Sequence, residues 1–342
     1  MDITEVMDGL EGTIVDELSR ELHRMVGDGE AYHPFIWRVC RDLEEYVLRK
    51  GRRIASCSTL MVYRGYTGRT DEPILKVCAG IELFRHSILA HDDIADAEVL
   101  RRGREVLHRL FSQGYDEHFG ASAAIFAGNM LLARSIGCIL DSGFQADRAL
   151  DAVRLLFSGY REVNESQVLD LLFEHSHPEV QEWRAMAGRR AASLFRASML
   201  SGAILAAAPK ADLGLIEEAA QNMGYAFDIQ DDIIDTFASR EQYGREPGGD
   251  LLKGKKPLHV ILAIQRDPEI ATLMKTPLGK GGLHHLIDRI RECGALEEAK
   301  AISREHGGRA RELISRTEMR DESKEFLVAL IGMVEESLDW YR

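Results

Sequence analysis

No proline interrupts the chain between Pro73 and Pro178, and a run of that length without a helix breaker narrows the architectures open to it. Apolar residues recur through it at helical spacing, as in Ile81, Phe84 and Ile88, or Ala127, Met130 and Leu131 with Arg134 alongside. β-Branched alternation is scarce while Ala, Leu, Glu and Arg dominate, so strands are disfavoured. Elsewhere Pro34, Pro73, Pro178, Pro209, Pro247 and Pro277 punctuate the helices. Gly65-Tyr66-Thr67-Gly68, Gly248-Gly249 and Gly279 to Gly282 read as loops. No long polar linker and no solenoid period intervene. Residues 1–342 are therefore expected to form a single all-α domain.

The 45% hydrophobic content of the 342 residues is ample for a core. A net charge of −13 argues against nucleic acid as a partner. Any phosphorylated ligand must then be held by local arginines, lysines or metal. Cys40, Cys57, Cys78, Cys138 and Cys293 are scattered without a Cys-x-x-Cys, which fits buried thiols in a reducing compartment. The start, Met1-Asp2-Ile3-Thr4-Glu5, lacks the order of a signal peptide. The longest apolar runs, Ala203 to Ala208 and Phe326 to Val334, are too short to span a bilayer. A cytoplasmic protein without stable membrane insertion is expected.

Two aspartate triplets carry the chemistry: Asp92-Asp93-Ile94-Ala95-Asp96 and Asp231-Asp232-Ile233-Ile234-Asp235. On a helix Asp92 and Asp96 share a face, as do Asp231 and Asp235. Like charges at that spacing repel, and burial raises the penalty, so each cluster calls for a cation. Carboxylate oxygens with no Cys or His ligand pattern suit Mg²⁺, with Mn²⁺ also compatible; Mg²⁺ keeps waters and shares its shell with substrate phosphate. Two acidic faces turned toward each other would make a metal-loaded diphosphate trap.

The first triplet is followed by Arg101-Arg102-Gly103, and arginine suits bidentate phosphate contacts. A solvated helix end is the plainer alternative, although Ile88, Leu89, Ala90 and Ile94 flank the acids. In the second, Asp228 adds an acid one turn earlier, and Gly254-Lys255-Lys256 follows as a basic flap or simply as a solvated lysine turn.

Together these residues resemble the trans-isoprenyl diphosphate synthases, or polyprenyl synthetases. Two Asp-Asp-x-x-Asp motifs, the first trailed by Arg-Arg-Gly, are that family's hallmark. Here they lie 139 residues apart (231 minus 92). Ser166-Gln167-Val168-Leu169-Asp170 is similar to its Gly-Gln-x-x-Asp, Gly254-Lys255 to its late lysine, and Cys293-Gly294-Ala295-Leu296 to the start of its C-terminal helices. The resemblance implies the isoprenoid synthase fold, antiparallel helices around a central cavity, as a homodimer. It implies that an allylic prenyl diphosphate, ionised with the help of three Mg²⁺, is attacked by isopentenyl diphosphate. A trans product one isoprene unit longer results. Metal and arginine would stabilise the leaving diphosphate.

By the same resemblance Asp92, Asp96 and Asp231 are direct metal ligands. Asp93, Asp232 and Asp235 complete the shells, Asp235 counting among the metal-binding set. Arg101 holds the allylic diphosphate and Lys255 its far side. Arg52, Arg53, Arg102, Arg190, Gln167 and Asp228 are further substrate contacts.

The departures gather at the isopentenyl diphosphate site. The family's Gly-Lys-Arg-x-Arg-Pro is Gly51-Arg52-Arg53-Ile54-Ala55-Ser56 here, so Ala55 replaces an arginine. Its Lys-Thr pair is Arg190-Ala191, and Asp228 stands for Gln. Asn129 stands where an Asp often precedes a Leu-Leu pair. Seven residues before Asp92, where His or Gln is usual, stands Arg85. Arg85 is expected to supply the guanidinium missing at Ala55, unless it merely pairs with Glu82 on its own helix.

In this family residues four, five and eight before the first Asp line the floor under the growing chain: Ile88, Ser87 and Phe84. Ser87 leaves the floor partly open and Phe84 sets a later stop, so a product of at least C20 is expected, with C25 to C35 as the finer reading. Ordinary helix packing is the alternative for all three. Two rival functions are a class I terpene cyclase, disfavoured by the intact second triplet, and a noncatalytic or co-catalytic subunit, suggested by Ala55 and Ala191. An acidic bundle without ligand is a third.

Overall fold

The computed structural model describes residues 2–239, 247–275 and 280–336. Its elements are α1 (Ile3–Tyr32), α2 (Pro34–Leu48), α3 (Ile54–Thr67), α4 (Glu72–Ala95), β1 (Leu100–Arg101), β2 (Arg104–Glu105), α5 (Leu107–Ser112), α6 (Glu117–Leu140), α7 (Ala146–Glu174), α8 (Val180–Ala187), α9 (Ala191–Leu205) and α10 (Lys210–Phe237). There follow α11 (Gly249–Lys253), α12 (Leu258–Arg266), α13 (Glu269–Leu273), α14 (Lys280–Glu292), α15 (Ala295–Ser315) and α16 (Asp321–Glu336). The all-α reading holds. The chain is gathered into two compact units.

The first unit takes the described residues of Met1–Leu155, Ser198–Ala208 and Met319–Ser323. The side chain of Asp2 caps α1 by accepting from Thr4 N (2.9 Å), and Pro34 opens α2 where its missing N–H costs nothing. Buried residues lie all round α4, so it is a central helix rather than a surface one. Leu18, Leu22, Leu43, Leu83 and Leu131 close the core around it. Where α4 meets α6 the helices approach so closely that a Cβ on Gly128 would come within 2.5 Å of His91 Nε2.

The second unit takes the described residues of Leu156–Ala197, Pro209–Glu318 and Lys324–Arg342. Its core joins Trp183, Ile229, Leu262, Leu286, Ile290 and Leu296. Reciprocal bonds between Glu179 and Glu182 form a capping box that starts α8.

Several boundaries depart from expectation. Helix α3 runs through Gly65 to Thr67, and only Gly68 (φ 69°) ends it. Gly249 opens α11 instead of continuing a loop, and Gly281 and Gly282 sit inside α14. Gly279 and Pro277 lie outside the described residues. Arg101-Arg102-Gly103 makes a hairpin, not a helix end: Leu100 pairs with Glu105 and Arg101 with Arg104. Both turn residues are left-handed, Arg102 at φ 53° and Gly103 at φ 75°, the signature of a type I′ connection. Helix α6 is long and apolar enough, by length and composition, to cross a membrane, and 39% of its most apolar stretch is buried. The unbroken runs considered in the sequence missed it because Asn129 and Arg134 divide its apolar residues.

Candidate active site

In the first unit α4 ends at the acidic triplet, with Asp96 as its C-cap. Asp93 is 1% exposed and turned inward, accepting from Tyr46 Oη (2.7 Å) and Arg101 Nε (2.7 Å). Arg101 Nη2 also reaches Asp92 at 3.5 Å. Burial opposes its charge, but Asp93, then Tyr46 and Asp92, hold the guanidinium above its ordinary value. Asp93 is thus the residue that fixes Arg101 over the motif, while Asp92 and Asp96 stay half-exposed.

Arg49, which the sequence did not single out, ties the hairpin down. Its guanidinium donates to the carbonyls of Arg101 (3.2 Å) and Glu105 (2.9 Å) and to Glu45. Arg102 Nη1 donates to Arg49 O (2.9 Å). Its guanidinium lies against Gly51, where a Cβ would come within 2.6 Å of Cζ. That approach explains the glycine.

The other basic residues divide in role. Arg53 is buried and committed to the protein, donating to Glu82 (3.0 Å), Val47 O (2.8 Å) and His86 Nε2 (3.4 Å). Glu82 takes Ser56 Oγ with its other oxygen (2.8 Å). Among the described residues Arg85 donates no hydrogen bond to Glu82, and its Nη1 is buried without a hydrogen-bond partner. Burial, then the neighbouring Arg85 and Arg53, lowers Arg102 to about 9. These guanidinium groups crowd one another. Arg52 meets Asp8 (2.5 Å) and Glu11 (3.8 Å) on α1. Along α4, Phe84 and Ser87 are buried, Ser87 Oγ without a hydrogen-bond partner among the described residues, and Ile88 is half-buried.

In the second unit Asp228, Asp231, Asp232 and Asp235 lie along α10. Arg190 donates through Nε to Asp228 (3.0 Å) and through Nη2 to Asp232 (3.3 Å), and stands 3.7 Å from Asp170. The backbone N–H of Ala191 adds a bond to Asp228 (3.4 Å). Burial opposes its charge, yet these acids hold Arg190 well above its usual range. Burial outweighs Arg190 at Asp228, pushing its carboxyl up to about 6, and raises Asp232 too. Among the described residues acids outnumber cations here, so added positive charge is favoured. Lys255 lies 3.3 Å from Asp170 and 4.0 Å from Asp250, and Gln167 is half-buried on α7. Asp235 accepts from Asp250 N (3.1 Å), fastening α11 to α10.

Among the described residues no three His, Cys, Asp or Glu converge into a ready-made metal cage. The donors offered, Asp92 and Asp96 in one unit and Asp231 and Asp235 in the other, are hard carboxylates without sulfur or imidazole. They fit Mg²⁺, which completes its shell with water and phosphate oxygens.

The polyprenyl synthetase family model matches residues 38–290. A geranylfarnesyl diphosphate synthase of Aeropyrum pernix is 30% identical over 294 residues, 84% of this chain and 90% of that protein. A short chain isoprenyl diphosphate synthase of Methanocaldococcus jannaschii is 30% identical over 218 residues, 63% of each chain. Among solved structures, a geranylgeranyl pyrophosphate synthase from Corynebacterium glutamicum, complexed with isoprenyl diphosphate and magnesium, superposes with a TM-score of 0.90. It is 24% identical and covers 96% of this chain and 99% of that one, which establishes the shared all-α isoprenoid synthase fold. With both aspartate triplets and Arg-Arg-Gly inside the matched span, the chain belongs to the polyprenyl synthetase family and is a prenyltransferase.

Proposed function

We propose that the chain condenses isopentenyl diphosphate with an allylic prenyl diphosphate to give an all-trans polyprenyl diphosphate of C20 or longer. The carbon–oxygen bond of the allylic substrate breaks, and its electron pair leaves with diphosphate. The double bond of isopentenyl diphosphate forms the new carbon–carbon bond, and a proton is lost to the released diphosphate. The crowded guanidinium groups of Arg85 and Arg102 carry this reading. Each is pushed down by burial and then by the other positive charges near it, and the buried carboxylate of Glu82 already accepts from Arg53 and Ser56, so an incoming anion is favoured there. Arg52, Arg85 and Arg102 are assigned to isopentenyl diphosphate. Arg101, Lys255, Arg190 and Gln167 are assigned to the allylic partner.

Magnesium, bound through Asp92, Asp96, Asp231 and Asp235, supplies positive charge to the leaving diphosphate. Three ions per site are proposed, with Mn²⁺ able to substitute. Asp93, Asp228 and Asp232 hold Arg101 and Arg190 in place. Both units are proposed to work as one catalytic domain, since the family match runs through both. The site is proposed to operate in the cytoplasm, and all five cysteines are free thiols, as a reducing compartment leaves them.

The floor at Ser87 is small and that at Phe84 bulky, which supports a C25 to C35 product. The geranylfarnesyl synthase relative fits this range. A homodimer is proposed through α6, where Ile125, Phe126 and Leu140 are exposed. The deciding experiment supplies purified protein with Mg²⁺, labelled isopentenyl diphosphate and C5, C10, C15 or C20 allylic diphosphates in turn. Products of C20 or more are expected, and the longest reports the depth of the floor. Products stopping at C10 or C15 would refute the chain-length reading. No incorporation by folded protein would point to a subunit that needs a catalytic partner.

A further inference from the structure

The residues matched by the family model begin at 38, so α1 precedes them. Yet two acids of α1 reach the loop that starts the proposed isopentenyl diphosphate site. Asp8 Oδ1 receives Arg52 Nη1 at 2.5 Å, and Glu11 stands 3.8 Å from the same nitrogen. Glu11 Oε1 also accepts the backbone N–H of Arg53 at 3.0 Å. From the other side, the Arg102 guanidinium lies on Gly51. Residues 51–53 are therefore held between α1 and the hairpin.

The two acids are placed for different tasks. The side chain of Glu11 is 17% exposed and bonded to backbone, so it shapes the loop. The side chain of Asp8 is 65% exposed and bonds to Arg52. It can swing into water without disturbing anything packed around it. A diphosphate binding Arg52 competes with that carboxylate for Nη1 and for the guanidinium's charge.

We infer that Asp8 is a built-in competitor for Arg52 and sets the affinity of the site for isopentenyl diphosphate, while Glu11 positions the loop. This rests on the prenyltransferase reading above. An ion pair with one exposed partner is weak, so Asp8 tunes affinity by about twofold to fivefold and does not block the site.

The test titrates isopentenyl diphosphate into wild type, Asp8→Asn and Asp8→Glu by calorimetry without Mg²⁺, where no turnover occurs. Steady-state constants are measured in parallel. Asp8→Asn is expected to bind isopentenyl diphosphate about twofold to fivefold tighter and to lower its KM by the same factor. Both kcat and the allylic KM should stay put. The gap between variant and wild type should narrow as salt rises, and Asp8→Glu should behave as wild type. Unchanged affinity in Asp8→Asn would overturn the inference. Weaker affinity would overturn it too, by showing that Asp8 pre-arranges Arg52 for the ligand. Wild-type protein that turns over no primer would count against the prenyltransferase reading alone, since the calorimetric comparison still decides the role of Asp8.

Discussion

Arg85 keeps a guanidinium nitrogen away from water with nothing to bond among the described residues. A buried donor left unmade costs about 1–3 kcal/mol, and like charges from Arg53 and Arg102 add to it. Such an arrangement is tolerable where a ligand supplies the missing acceptor. Arg85→Gln should therefore raise KM for isopentenyl diphosphate about tenfold or more, the worth of a hydrogen bond to a charged group. The allylic KM should hardly move. The unliganded variant should unfold at an equal or higher temperature, since a crowded charge is gone. A lower Tm with equal rises in both KM values would make Arg85 a structural residue instead. Its neighbour shows what a sequence hides. Arg52 and Arg53 are adjacent letters, but one faces acids on α1 and the other is sealed against Glu82, Val47 and His86. That division depends on which way residues 51–53 turn after α2. Glu11, 42 positions away from Arg53, fixes the turn.

At the scale of elements, the helices were legible because their signals are local. Apolar spacing in α4 and α6, proline at the heads of α2 and α4, and the aspartate pairs four residues apart all act within a few turns. The hairpin was not legible as a strand pair. Each strand has only two residues, and it holds because Arg49 reaches across from α2 to its carbonyls. The roles of Asp93 and Asp232, turned to arginines, were also beyond spacing alone, since the helix period gives the face but not the partner. Helix α12 carries a comparable buried feature. His259 bonds Thr236 Oγ1 through Nε2 (2.9 Å), its Nδ1 has no hydrogen-bond partner among the described residues, and burial pushes it down to about 3. Its folded value lies below the unfolded one, so protons bind the unfolded chain first as pH falls below about 6.5. Stability drains away through that window toward pH 3. Thermal unfolding followed by circular dichroism should show wild type losing more Tm between pH 7 and pH 5 than His259→Gln. Parallel losses in the two proteins would mean that His259 is not the group responsible.

At the scale of the whole molecule, α6 is out of keeping with an isolated chain. Phe126 is 68% exposed, Ile125 44% and Leu140 51% on a helix apolar enough for a bilayer. Exposed apolar side chains of that kind are what the proposed dimer would cover. Light scattering should give the mass of two chains for wild type and of one for Phe126→Glu, with Ile125→Glu as an independent check. A wild type that is monomeric and fully active would remove the dimer from the proposal. If α6 is covered by a second copy, the protein's persistence in a cell becomes a matter of its own abundance. Scarce, freshly made chains display a lipid-like helix to chaperones and proteases. Abundant ones find each other first, so expression below a threshold should yield disproportionately little enzyme.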